Sequence, residues 1–386
     1  MRILFVSTSS GSRGGGELSL VYLGRALAER GHTVGLWCAR HPRMDELAAQ
    51  FAPFGTVLRA PYTNTYDRRL RSLSDLVPRS RPAYRQQWAS FQPDAIQLNK
   101  QNLEDGLDLL RAADRMEIPG IAAIHIPHPA ASLGAFLGRG RDWIARRALA
   151  RFAGTLVAIS PTRRQQLQAF LGRYDRQSAR VTCIDNGVYV PSEAERQAKR
   201  GEARSWLGLD KHELLFIAVG RMEPQKRPLL FLQWAQALKQ HLPQAHFCWI
   251  GEGSYCARWD RWVEAQQAGG YIRRWEWQQD VTPFLAAADG FLHPAQFEGL
   301  PFALLEAMAW RLPCAIASSL AAELQLPAGS YFSVSDDRDG QHAGLAQMAH
   351  PAARATAAAT GRELAWKQFS IATMAARYEA LYRQLL

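Results

Sequence analysis

Glu298-Gly299-Leu300-Pro301-Phe302-Ala303-Leu304-Leu305-Glu306-Ala307-Met308-Ala309 sets two carboxylates eight positions apart around a Gly-Leu-Pro turn. The apolar run Gly290 to Leu292 lies just upstream and reads as a buried strand. Pro301 suits the first turn of a helix, where its missing N–H costs nothing. Glu298 is then expected in a strand-to-helix loop and Glu306 about two turns along the helix. The amides of Phe302, Ala303 and Leu304 at the helix start would offer hydrogen bonds to an anion. Two acids beside such an amide cluster suit a sugar with a phosphate next to it.

Outward from this run the chain alternates apolar strands and helical stretches. Ile3–Val6 is followed by a Gly/Ser loop over Ser7–Gly16. A helical pattern then spans Glu17–Arg30 through Leu20, Leu23, Leu27 and Ala28, and Gly31 ends it. Thr33–Cys38, Ala95–Leu98, Ile121–Ile124 and Leu156–Ile159 continue the strand series. A polar stretch around Asp185–Arg200 reads as a linker. A second series begins with Leu214–Val219, Ala245–Ile250, Gly290–Leu292 and Cys314–Ala317, and the chain is helical from Ala352 onward. Such alternation predicts an α/β chain of two Rossmann-like, doubly wound parallel-sheet lobes, with a cleft between the strand ends.

The length of 386 residues and the 47% apolar content support two cores. No apolar run of 18 or more residues appears, and MRILFVS enters a strand without a signal-peptide layout, so a cytoplasmic location is expected. The five cysteines form no C-x-x-C pair and fit reduced thiols in a reducing cytosol. A net charge of +11, carried mostly by arginine, favours anionic partners: nucleic acid, acidic lipid or a phosphorylated substrate.

Val219-Gly220-Arg221-Met222-Glu223-Pro224-Gln225-Lys226 follows the first strand of the second lobe. Arg221 as a fork and Lys226 as a point charge could neutralise a diphosphate there. Gly14, Gly15 and Gly16 precede the first helix and would allow a phosphate close to the backbone. That loop is not G-x-G-x-x-G, and no acid follows the second strand, which ends at Arg40. Gly251 lies in a Gly-Glu-Gly turn after a strand. Trp275, near the end of another strand, could stack a base or fill a core. His125 ends the strand Ile121–Ile124. Arginines cluster at 68, 69, 71, 79, 81 and 85, and again at Arg139, Arg141, Arg146, Arg147 and Arg151. The second set falls on a helix with Ile144, Ala148 and Phe152 on one side and Arg146, Arg147 and Arg151 on another. That side is a candidate platform for anionic lipid or a phosphorylated acceptor. No Asp-x-Asp stands in a strand-end loop, and no residue set has metal-ligand spacing.

The run from Glu298 to Glu306 resembles the Glu-x7-Glu signature of retaining, nucleotide-sugar-dependent glycosyltransferases of family 4. The segment from Gly220 to Lys226 is similar to that family's G-R-x(3,5)-K motif. The resemblance implies a GT-B fold with an acceptor-binding lobe over 1–188, a donor-binding lobe over 189–365 and a C-terminal helix over 366–386 packing back on the first lobe. It also assigns roles: Arg221 and Lys226 on the donor diphosphate, Glu298 on the donor sugar, Glu306 on the ribose, His125 on the sugar. Gly220, Gly251, Gly299, Leu300, Phe302 and Ala303 fall among the donor contacts. The partners implied are a nucleoside-diphosphate sugar and a glycan or lipid-linked acceptor, with peripheral contact to acidic membrane. No cofactor or metal is expected, since diphosphate charge would fall to Arg221, Lys226 and helix dipoles. The implied setting is the building of envelope polysaccharide or lipopolysaccharide.

The chain departs from the pattern where Arg311 replaces a helix-ending Gly and where Ser318–Glu323 lacks the usual Gly-Gly. Arg311 should tolerate that bend less comfortably than Gly. Three other readings compete. An NADP-dependent oxidoreductase would use the Gly loop and Arg40 but leaves the acidic run unexplained. A nucleic-acid binder would use the net charge, yet no recognition motif supports it. A catalytically inactive homologue would bind sugar nucleotides without transfer.

Overall fold

The computed structural model describes residues 1–9, 15–64, 81–172 and 180–386. It divides into two compact units: Met1–Gly187 with Ile371–Leu386, and Val188–Ser370. Each is a parallel sheet clothed by helices.

In unit 1 the strands are β1 (Arg2–Ser7), β2 (Thr33–Ala39), β3 (Thr56–Ala60), β4 (Ala95–Asn102), β5 (Gly120–Ile126), β6 (Thr155–Ala158) and β7 (Val181–Cys183). Their order is β3-β2-β1-β4-β5-β6-β7, so the winding reverses between β1 and β4. The central strands are fully buried runs such as Ile3–Val6 and Ile121–Ile124, as a sheet covered on both faces requires. The helix Gly15–Glu29 ends at Gly31, whose φ of +85° lets the His32 N–H reach Leu27 O at 3.0 Å. The helix Ile371–Leu385 also belongs to this unit. Met374, Ala375, Tyr378 and Tyr382 enter its core, and the Tyr382 hydroxyl meets Gln97 on β4.

Unit 2 repeats the plan with β8 (Leu214–Val219), β9 (Ala245–Ile250), β10 (Ile272–Trp275), β11 (Gly290–His293), β12 (Cys314–Ala317) and β13 (Phe332–Val334), ordered β10-β9-β8-β11-β12-β13. Here the reversal falls between β8 and β11. Ligands of open α/β sheets bind beyond the carboxyl ends of strands at such a reversal.

Several expectations need correction. The linker read over 185–200 is shorter, because Glu193–Trp206 is a helix capped by Ser192 and ion-paired through Arg200 and Arg204 to Asp289. The final helical stretch is two helices, Pro351–Lys367 in unit 2 and Ile371–Leu385 in unit 1, so the break falls at 370/371 rather than 365/366. Strands β3, β7 and β13 lie at or near sheet edges and are short, and none gave a distinct apolar run. Among the described residues no disulfide forms, Cys38, Cys248 and Cys314 are buried, and no helix is long and apolar enough to cross a membrane.

Candidate functional site

In unit 2 the loops after β8 and β11 meet at the winding reversal. Gly220, with φ +155°, turns the chain out of β8, and a Cβ there would lie 3.3 Å from Lys226 Cε. Gly251, with φ +136°, follows β9, and a Cβ on it would fall 2.2 Å from Gly220 O. A Cβ on Gly253 would likewise meet Met222 O at 2.5 Å. Only glycine allows these strand ends to approach so closely. The Trp249 indole N–H donates to Gly220 O at 2.8 Å and fixes the turn.

Lys226 ends the short 3-10 turn Pro224–Lys226, and its ammonium pairs with the Glu298 carboxylate. Both side chains are largely buried. Gln225 ties the two loops together: its carbonyl accepts from Gln296 N at 2.8 Å, and its amide donates to Phe297 O at 2.8 Å. Arg227, in the left-handed region at φ +49°, pairs with Asp336, which also accepts from Ser319 N at 3.3 Å. Arg221 is exposed beside Glu223. Ser254 donates to Glu223 from its N–H at 3.0 Å and its hydroxyl at 2.6 Å, which holds that carboxyl below its usual range. Three cations, each set beside an acid, therefore gather where open α/β sheets bind their ligands.

The acidic run folds nearly as its sequence predicts. Glu298 is in the loop, and the helix spans Phe302–Ala309. Pro301 caps that helix rather than opening its first turn, and its carbonyl accepts from Leu304 N and Leu305 N, both at 3.1 Å. The Leu304 amide is therefore engaged within the helix. Glu306 is one turn in, not two, and is half-buried with Ala303, while Gly299, Leu300, Phe302, Leu304 and Leu305 are buried. The helix closes with Leu312 N on Ala307 O at 2.9 Å around Arg311 at φ +61°. That is the left-handed conformation a Gly would adopt there. Trp275 is half-exposed and packs against Trp206 and Phe284, each ring at 5.3 Å, while its carbonyl accepts from Gly251 N at 2.9 Å.

Sequence reasoning missed His293. It ends β11, is buried, and has no hydrogen-bond partner for Nε2 among the described residues. Burial, reinforced by the Lys226 charge, drives its pKa well below the usual histidine value, so the ring is neutral. The signal available was a polar His-Pro pair closing an apolar strand.

In unit 1 the ends of β4 and β5 meet the first helix at a different kind of cluster. His125, at the end of β5, is buried, and desolvation lowers its pKa to about 4. The Asn99 amide donates to Gly16 O at 2.8 Å, so its oxygen faces His125 Nε2 at 2.8 Å and accepts from it. This fixes the neutral tautomer with the proton on Nε2. Ser19 completes the cluster, donating to Gly16 O at 2.7 Å and lying 3.5 Å from both Asn99 Oδ1 and His125 Nε2. A Cβ on Gly16 would overlap the Gln101 amide at 2.2 Å, which explains the glycine. Gly15 opens the helix, and Gly14 lies outside the described residues. Asn99 and Ser19 were not picked out from sequence, because only the β4–β5 register, with Asn99 opposite Ala123, brings them beside His125. Ser160 caps the helix Pro161–Leu171 through Arg163 N at 3.2 Å, a structural role.

The expected arginine face is split. On the helix Gly138–Arg151, Arg147 and Arg151 are exposed, but Arg146 is half-buried with its guanidinium 4.9 Å from the Phe170 ring centre. Arginines 68, 69, 71 and 79 lie outside the described residues. Among the described residues no group of three or more His, Cys, Asp or Glu is placed to hold a metal ion.

A family model described as Glycosyltransferase Family 4 matches residues 13–190, and one described as Glycosyl transferases group 1 matches residues 213–343. The chain belongs to glycosyltransferase family 4. Among relatives, this family 4 chain is 31% identical over 144 residues to an Escherichia coli UDP-Gal:alpha-D-GlcNAc-diphosphoundecaprenol alpha-1,3-galactosyltransferase. That match takes in 36% of this chain and 37% of the relative. The chain spans under two fifths of the length of the curated relatives it matches. Among solved structures it is similar to Anabaena Alr3699/HepE in complex with UDP and glucose, with a TM-score of 0.75, 19% identity and 100% coverage of both chains. It is also similar to WaaG, a glycosyltransferase involved in lipopolysaccharide biosynthesis (TM-score 0.69, 15% identity, covering 98% of this chain and 99% of that one). These likenesses show the GT-B fold of two parallel-sheet α/β lobes.

Proposed function

We propose that this family 4 chain is a retaining glycosyltransferase that takes its sugar from a nucleoside diphosphate. The observation that carries the reading is the pairing of Lys226 with Glu298 where the winding of unit 2 reverses, walled by Gly220 and Gly251. An ammonium there, with exposed Arg221 on the same loop, suits a diphosphate, and a donor would draw Lys226 away from Glu298 onto its phosphates. Charge grows on the leaving diphosphate as the glycosidic bond breaks, so cations fixed beforehand lower the barrier electrostatically. Glu298 would then accept hydrogen bonds from sugar hydroxyls and Glu306 from the ribose. Trp275 stands near Gly251 as a stacking face for the base. His125, held neutral by burial and by Asn99, is suited to polar contact with a sugar hydroxyl rather than to charge stabilisation. The reading assigns diphosphate stabilisation to Arg221 and Lys226 and predicts activity that persists in EDTA.

The E. coli relative's name specifies UDP-Gal, and the Anabaena structure holds UDP with glucose, which places UDP sugars first among donors to test. The same relative's GlcNAc-diphosphoundecaprenol acceptor and WaaG's involvement in lipopolysaccharide biosynthesis support a lipid-linked or glycan acceptor in envelope synthesis. The reading sets that work at the inner face of the cytoplasmic membrane. A thermal-shift screen of UDP-, GDP-, ADP- and dTDP-sugars, followed by hydrolysis assays on the hits, tests the donor class. A shift without hydrolysis or transfer would favour the inactive-homologue reading, and no shift with any sugar nucleotide would contradict the proposal.

A further inference from the structure

Four of the five large apolar side chains that unit 1 exposes among its described residues fall between 133 and 143: Leu133 (59% exposed), Phe136 (68%), Leu137 (55%) and Trp143 (51%). The segment holding them is firmly built. Residues 130–135 close on themselves, with Ala135 N on Ala130 O at 3.0 Å and Gly134 N on Ala131 O at 3.1 Å around Gly134 at φ +67°. Asp142 turns inward and accepts from Ala130 N at 2.6 Å and Ala131 N at 3.0 Å. Arg141 forks onto Glu104 and donates to Phe136 O at 3.3 Å. A Cβ on Gly138 would lie 2.6 Å from Ala131 Cα, so helix and turn are in direct backbone contact. The apolar side chains are thus held outward by a bonded frame.

Glu104 is taken up by Arg141, and the exposed charge of the segment itself is positive. Asp142 is the sole acid between 127 and 151, and it is consumed inside the turn. On the helix that follows, Arg139, Trp143 and Arg147 repeat at four-residue intervals on the exposed side, with the Arg147 guanidinium 5.4 Å from the Trp143 ring centre. Large apolar side chains beside an acid-free arginine stripe, with an amphipathic tryptophan between, match the two parts of an anionic bilayer surface: acyl boundary and phosphate headgroups. A protein partner of comparable fit would call for hydrogen-bond acceptors as well as donors among the apolar residues, and the side chains of the exposed stripe offer only donors, two guanidinium groups and the Trp143 indole N–H.

We infer that residues 133–147 dock the protein on anionic phospholipid, with Leu133, Phe136, Leu137 and Trp143 entering the headgroup–acyl boundary and Arg139 and Arg147 meeting phosphates. The test is flotation of the full chain with phosphatidylglycerol-containing vesicles against pure phosphatidylcholine vesicles. Wild type should float with the anionic vesicles, and Phe136→Ser with Leu137→Asn should weaken that binding at least about tenfold. Asn suits the left-handed backbone of Leu137 at φ +51°, and unchanged thermal melting will show that the variant is folded. Arg139→Gln with Arg147→Gln should weaken anionic binding roughly tenfold and flatten its salt dependence. Quenching by lipids brominated on their acyl chains should fall when Trp143 is replaced by Phe. Failure of wild type to float, or flotation unaffected by the Phe136/Leu137 pair, would overturn the inference. So would a wild-type dimer in sedimentation velocity that these substitutions dissociate while vesicles bind neither form.

Discussion

The two units place different chemistry at the same topological position. In unit 2 the loops beyond β8 and β11 bring together a paired lysine and glutamate and an exposed arginine, beside Gly251, where a Cβ would fall on the Gly220 carbonyl. In unit 1 the ends of β4 and β5 and the start of the first helix bring together Ser19, Asn99 and His125, a buried, neutral chain of hydrogen bonds. The same winding can thus carry a charge pair or a buried neutral cluster, and side chains outside the apolar core decide which.

The contrast breaks most visibly at Lys226. Lys226→Met should lower the transfer rate by about a thousandfold, the scale seen when one fixed donor to a developing charge is lost. His125→Gln should cost less activity, since a neutral amide can replace a neutral ring; an equal loss in both variants, measured as kcat/KM, would erase the distinction. The neutral cluster has its own signature in pH. Folded His125 protonates near pH 4 and the unfolded residue near 6.5. The unfolded state therefore binds more protons in that window, and unit 1 should lose about 3 kcal/mol as pH falls from 6.5 to 4. Denaturant titrations of wild type and His125→Gln should show that slope flattened in the variant. Gly251→Ala should destabilise unit 2 by about 2–3 kcal/mol, because φ +136° and the nearby Gly220 carbonyl both oppose a Cβ. Its Tm should drop while unit 1 is unaffected. The smallest effect is a gain: Arg311→Gly should stabilise unit 2 by about 1 kcal/mol by relieving a left-handed arginine.

Charged residues close together in sequence were the most legible. Glu298 and Lys226 declared themselves through local motifs, and the two-lobed α/β plan followed from strand–helix alternation that needs no long-range information. Arg311 was expected to bend uncomfortably and does adopt φ +61°. What escaped reading depends on register or on distant pairing. Asn99 joins His125 only because β4 and β5 align as they do, and Asp336, in a polar loop, meets Arg227 across 109 positions. The short edge strands carried too few residues for a periodic signal. Helical spacing sets Arg146 with Arg147 and Arg151 and cannot show that its guanidinium lies over Phe170.

The central claim is that the Lys226 ammonium holds a diphosphate in unit 2. Calorimetric titration of UDP and of uridine into wild type and Lys226→Met tests it directly. The account predicts UDP binding at least about tenfold weaker in the variant, with uridine binding unchanged. Equal affinity of both proteins for UDP would contradict it.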